Sequence, residues 1–195
     1  MDIGIAVTRH LIWDAASRVL RGARWEGLDE ADTVDLAQRF LMGLGYRTYK
    51  EVPYPQAHKT RADLVGYSPL PQSVQSQVWV EVKRLFDLDL RLYKKRFDEG
   101  KRELLEDFER LAELDRGSVR AALWVVFSEH DRLSLAGSPS EARYSIQEAI
   151  HRIGEELSLA SPTTHHVDLD DALPGLDAQP YARHLHVIAW RWDID

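Results

Sequence analysis

The run Arg120-Ala121-Ala122-Leu123-Trp124-Val125-Val126-Phe127 constrains this chain more than any other stretch. After the arginine it is apolar without a break, so it reads as a strand buried on both faces rather than one with a solvated side. A sheet containing such a strand needs helices over both of its faces. The sequence offers them. Near-helical spacing of Ile5, Ile12, Ala15, Ala16, Val19 and Leu20 predicts a helix over residues 2–21. A second is predicted from Glu30 to Met42, with Val34, Ala37, Leu41 and Leu44 as one apolar stripe and Gly43 and Gly45 as its stop. A third runs from about Phe97 to Leu114, and a fourth from Ser140 to Leu157.

Strands are predicted at Tyr46–Val52, at Ala62–Tyr67, around Val78–Lys83, at Arg120–Phe127 and at His184–Trp192. Prolines 162, 174 and 180 mark a long irregular segment before the last strand. The expected fold class is α/β, three-layer α/β/α with a mixed central sheet. Its αβββαβ core carries an additional N-terminal helix and a C-terminal helix and strand. A chain of 195 residues suits one domain, here residues 1–195 with the core over about 30–127.

The stretch Val78-Trp79-Val80-Glu81-Val82-Lys83 poses the chemical question. Side chains alternate along a strand, so the three valines share one face and Trp79, Glu81 and Lys83 share the other. Buried charges need partners. The nearest candidate is Asp63, which opens the preceding strand. If the two strands pair, Asp63 and Glu81 meet near one edge of the sheet. Two close carboxylates repel unless a cation lies between them. A hard divalent ion such as Mg2+ takes oxygen ligands and keeps several waters. Lys83 is then placed to handle a water or neutralise a phosphate oxygen.

Asp63 followed by Glu81-Val82-Lys83 resembles the PD-(D/E)xK motif of the restriction-endonuclease-like nuclease superfamily. The surrounding order of helix, three strands, helix and strand is similar to that superfamily's core. Ala62 stands where the motif's name has proline, which is not a metal ligand. The resemblance implies a Mg2+-dependent nuclease, with Mn2+ as the alternative ion, hydrolysing phosphodiester bonds in DNA rather than RNA. It implies Asp63 and Glu81 as metal ligands and Lys83 at the attacking water. It also implies an acid on the first core helix, for which Asp35 is the candidate and Glu30 and Asp32 are rivals. The alternative is a catalytically inactive module of the same fold that binds nucleic acid or a protein partner.

Charge is unevenly distributed. The net charge is −7, yet residues 46–62 hold four bases against one acid, and residues 83–102 hold eight against four. A basic face with an acidic back is compatible with these counts. Arg61, Arg84, Lys94, Lys95 and Arg96 are the candidate nucleic-acid contacts, and "RLYKKRF" at 91–97 adds aromatics able to stack on bases. A homodimer is compatible with the sequence but no residue demands it. The chain has no cysteine and no apolar run of the ~20 residues a membrane helix needs. Its first residues lack the pattern of a secretory signal, so a cytoplasmic protein is expected. His165-His166 with Asp168, Asp170 and Asp171 matches no metal-ligand spacing and reads as solvated loop. His184 and His186 are expected to line a sheet face shared with Trp190 and Trp192, a packing or dimer surface.

Overall fold

The computed structural model describes residue 9 and residues 30–57, 59–69, 77–86, 102, 105–114, 118–128, 146–157, 159, 161–172 and 183–193. Apart from residue 9, the expected helix over residues 2–21 lies outside the described residues, as do the basic run 91–97, residues 140–145, Pro174 and Pro180.

Helix α1 spans Glu30–Gly43 and buries Thr33, Val34, Leu36, Ala37 and Leu41. Its end is a closed turn. The Tyr46 N–H donates to the Leu41 carbonyl at 3.0 Å and the Gly45 N–H to that of Met42 at 2.9 Å. Gly45 takes φ of 88°, the left-handed value that glycine tolerates. Leu44 was expected on the buried stripe, but it sits in this turn and is 42% exposed. The helical register that would have buried it has already stopped.

The strands are β1 (Arg47–Pro53), β2 (Arg61–Tyr67), β3 (Gln77–Phe86), β4 (Ser118–Ser128), β5 (Thr163–Asp168) and β6 (His184–Asp193). They form one six-stranded sheet in the order β1-β2-β3-β4-β6-β5. β3 and β4 pair in parallel, and the other neighbours are antiparallel, so the sheet is mixed. Between β3 and β4 lies α2, residues 105–112. Helices α3 (Ile146–Leu157) and α4 (Leu169–Ala172) complete the described elements.

β5 corrects the sequence reading, which placed His165 and His166 in a loop. They lie on an edge strand paired with β6, with His166 opposite His186. The His166 and His184 rings approach to 3.2 Å between nitrogens, and His166 stacks on His186 at 4.7 Å between centroids.

β3 distributes its side chains by parity. Val78, Val80 and Val82 cluster with Val34, Leu36, Ala37 and Leu41 of α1. Trp79 clusters with Phe108 and Leu111 of α2 and with Ile153 of α3. On that second side, Trp124 and Trp190 meet at 4.6 Å between centroids, with Phe108 edge-on to both. β4, apolar on both faces, is buried throughout from Ser118 to Phe127.

Candidate active site

The site forms where β2 and β3 part company. Their pairing runs from Tyr67↔Gln77 to Leu64↔Val80, and the next step would set Asp63 opposite Glu81. Instead the Val82 N–H donates to Asp63 Oδ2 at 2.7 Å. On its other side β2 pairs with β1 at Leu64 and again at Ala62, skipping the Glu51–Asp63 step. Glu51 there has φ of 53°, a costly value for a residue with a side chain. Leu64 joins the core on the α1 side while Ala62 and Val65 both join the other. Strand alternation therefore fails around Asp63, and its half-buried carboxylate turns toward the end of β3.

Glu81 is 4% exposed. Tyr54, just after β1, donates its hydroxyl to Glu81 Oε1 at 2.5 Å. The Tyr54 ring stacks on Trp79 at 5.4 Å, which fixes the donor. Burial first, then the charges of Asp63 and Asp107, push the Glu81 pKa up to about 9. At neutral pH, without a cation, Glu81 therefore holds a proton and lies against Asp63 as a neutral acid. Burial and the bond to Glu81 raise the Tyr54 pKa as well, so its hydroxyl stays protonated.

Lys83 lies between α1 and α2. Its ammonium is 3.7 Å from Glu30 Oε1 at the head of α1 and 3.5 Å from Asp107 Oδ2 on α2. Burial alone would lower its pKa, but Asp107, Glu30, Asp63 and Glu81 outweigh that and raise it. Lys83 is thus a held cation. Asp107 is 5% exposed, and burial pushes its pKa up to about 6 against the opposing pull of Lys83 and Arg110. Its Oδ1 pairs with the Arg110 guanidinium, while Oδ2 faces the Lys83 ammonium and has no hydrogen-bond donor at ordinary geometry among the described residues. Arg110 in turn lies 6.0 Å above the Tyr54 ring.

The structure thus brings Asp63, Glu81 and Lys83 to one place. Asp35 is elsewhere: it forms an ion pair with Lys50 of β1. Its place on the first core helix is one that faces the edge strand, whereas Glu30, at the helix start, reaches Lys83 and the Arg84 N–H, the latter at 3.4 Å. Arg61 is exposed and donates to the Glu51 carbonyl at 2.8 Å, bracing the left-handed residue. Arg84 is half-buried on β3 beside Lys83. Lys94, Lys95 and Arg96 lie outside the described residues. Among the described residues, no three His, Asp or Glu side chains gather into a metal-binding group. Asp63 and Glu81 supply two carboxylates only.

Three participants escaped the sequence reading. Asp107 carried a signal: it falls three residues after Leu104 and four before Leu111, on the apolar stripe of its helix. Arg110, three residues on, shares that signal as its natural partner. Tyr54 lies between Pro53 and Pro55, where an aromatic in a polar turn is easily read as exposed. Comparison with family models, with curated proteins and with solved structures finds no match for the chain.

Proposed function

We propose that this protein is a Mg2+-dependent nuclease acting on DNA, on a three-layer α/β/α scaffold of the restriction-endonuclease-like kind. The observation that carries the reading is the Asp63–Glu81 pair, two carboxyl groups held together where β2 and β3 stop pairing. Each carboxylate has one oxygen engaged, by the Val82 N–H and by the Tyr54 hydroxyl. The remaining oxygens suit a hard cation that keeps most of its waters, taking the place of the Glu81 proton. Bound there, Mg2+ would acidify a water and offset negative charge on the phosphate.

The chain's own residues divide the remaining work. The Val82 N–H and the Tyr54 hydroxyl hold the two carboxylates in fixed orientation, so little is lost to reorganisation. Lys83, kept cationic by Glu30 and Asp107, positions the attacking water and balances charge on a phosphate oxygen. Asp107 and Arg110, paired with each other, keep α2 against Lys83 and Tyr54 without touching the reacting atoms.

Incubation with plasmid, linear duplex, single-stranded DNA and RNA, each with Mg2+, Mn2+ or chelator, tests this directly. Cleavage by the parent should need the metal. Asp63→Ala and Lys83→Ala should each reduce it by at least a hundredfold while circular dichroism stays unchanged. Either variant cutting as well as the parent overturns the assignment.

A further inference from the structure

β1 is an edge strand and, among the described residues, pairs only with β2. Along it runs an open groove of about 790 Å³, lined among others by Arg47, Tyr49, Lys50, Val52, Tyr67 and Pro69. Tyr49 is 54% exposed and is propped edge-on against Tyr67, 5.7 Å between ring centroids and 73° between planes. Tyr67 in turn packs on the aromatic core. An exposed tyrosine braced by a second, partly buried one is a firm aromatic surface open to solvent.

Two further features define what such a surface can take. Arg47 is exposed and makes no ion pair or side-chain hydrogen bond among the described residues, so its charge is free for a ligand. Lys50 adds a second cation, partly offset by Asp35 and Glu51. The strand itself resists pairing with another strand: Glu51 is left-handed, Pro53 has no N–H to offer, and Lys50 is charged. A polyanion with flat apolar faces fits these features better than an added peptide strand does.

The groove also has a direction. Val52 sits opposite Ala62, next to Asp63 on β2. From there β1 carries the groove about 17 Å away from the carboxylates, to Arg47.

We propose that this groove binds a single-stranded segment of nucleic acid, with a base stacked on Tyr49 and a phosphate at Arg47, leading the strand toward Asp63 and Glu81. The proposal rests on the nuclease reading and narrows its substrate: a free strand, or the unpaired arm of a duplex, is preferred over blunt duplex. Bases in a closed duplex are stacked on each other and cannot offer a face to Tyr49.

The test is fluorescence anisotropy of the full chain with fluorescein-labelled 20-mers, single-stranded and blunt duplex, in chelator so that nothing is cut. The parent should bind the single strand more tightly. Tyr49→Ala should weaken that binding roughly tenfold and leave the duplex nearly unaffected, while Tyr49→Phe should keep it. Arg47→Ala should weaken both and lower the salt dependence by roughly one counterion. Equal binding by Tyr49→Ala, the result expected if the groove serves a protein instead, overturns the proposal, as does a preference for duplex. Failure of the two readings is separable. Metal-dependent cleavage with unchanged Tyr49→Ala binding sinks the groove alone. Tyr49-dependent binding with no cleavage under any metal sinks the nuclease alone.

Discussion

Glu81 is the residue whose ionisation most shapes the site. Its pKa rises from 4.5 to about 9 in the folded chain, so the native state holds the proton more tightly than the unfolded one does. For an acid shifted this way, the favourable contribution is complete below pH ~4.5 and is lost progressively up to pH ~9. Glutamine mimics the protonated form: it accepts from Tyr54 and donates to Asp63 without titrating. Glu81→Gln should therefore match the parent near pH 4.5 and exceed its stability increasingly at higher pH, by on the order of 5 kcal/mol at pH 8. Thermal melts in chelator from pH 5 to 9 measure this; a difference that does not grow with pH would show that Glu81 is ionised in the apo fold. Glu81 and Lys83 were legible in the sequence because strand parity places them on one face, and Asp63 because it lies at the start of the neighbouring strand, although alternation fails around it. Their companions were not. Asp35 and Glu30 are both acids on one helix, and which one reaches Lys83 depends on how α1 crosses β3, which no local pattern encodes. Tyr54 and Asp107 matter through contacts 27 and 24 residues away in sequence, at Glu81 and Lys83.

Among the elements, α2 depends on a buried cation that the apolar run of β4 obscures. Arg120 is fully buried, and its guanidinium donates to the carbonyls of Leu111 at 2.6 Å, of Ser118 at 3.0 Å and of Leu114. It thereby closes the C-terminal end of α2, where the carbonyls lack helical partners and the helix dipole favours a positive charge. The same helix carries Asp107 to Lys83. Arg120→Met fills similar volume but strands those carbonyls in the interior, at a cost of about 3 kcal/mol or more. Urea unfolding should show a lower midpoint with an unchanged slope. A midpoint equal to the parent's would mean the carbonyls find other donors. Sequence patterning gave α1, α2, α3 and the buried strands because their apolar spacing is decisive. It missed β5 because Thr163-Thr164-His165-His166-Val167-Asp168 is polar on both sides and owes its extended form to pairing with β6, a long-range cause. Leu44 failed for the opposite reason: its spacing was right, but the Gly45 turn ends the helix before it can face the core.

For the whole molecule, the buried acids set up a linkage between folding and ions. The folded chain confines Asp63, Glu81 and Asp107 close enough that each perturbs another, while the unfolded chain does not. An ion that binds this cluster and not the unfolded chain must stabilise the fold, by about 2.7 kcal/mol at a concentration a hundred times its Kd. For a chain of this length that is a rise of roughly 5–10 °C in melting temperature. The ion competes with the Glu81 proton, so the rise should be larger at pH 8 than at pH 6. Monovalent salt at equal ionic strength, which only screens the net charge of −7, should not reproduce it. Glu81→Ala removes one of the two carboxylates and should abolish the specific rise, leaving only the screening effect. Scanning calorimetry with Mg2+ and Mn2+, in parent and variant, separates a metal-dependent enzyme from a binding module on the same fold. No pH-dependent rise in the parent with either ion would mean that Tyr54 and the proton satisfy Glu81 permanently, and that the carboxylate pair is a structural feature of the β2–β3 junction.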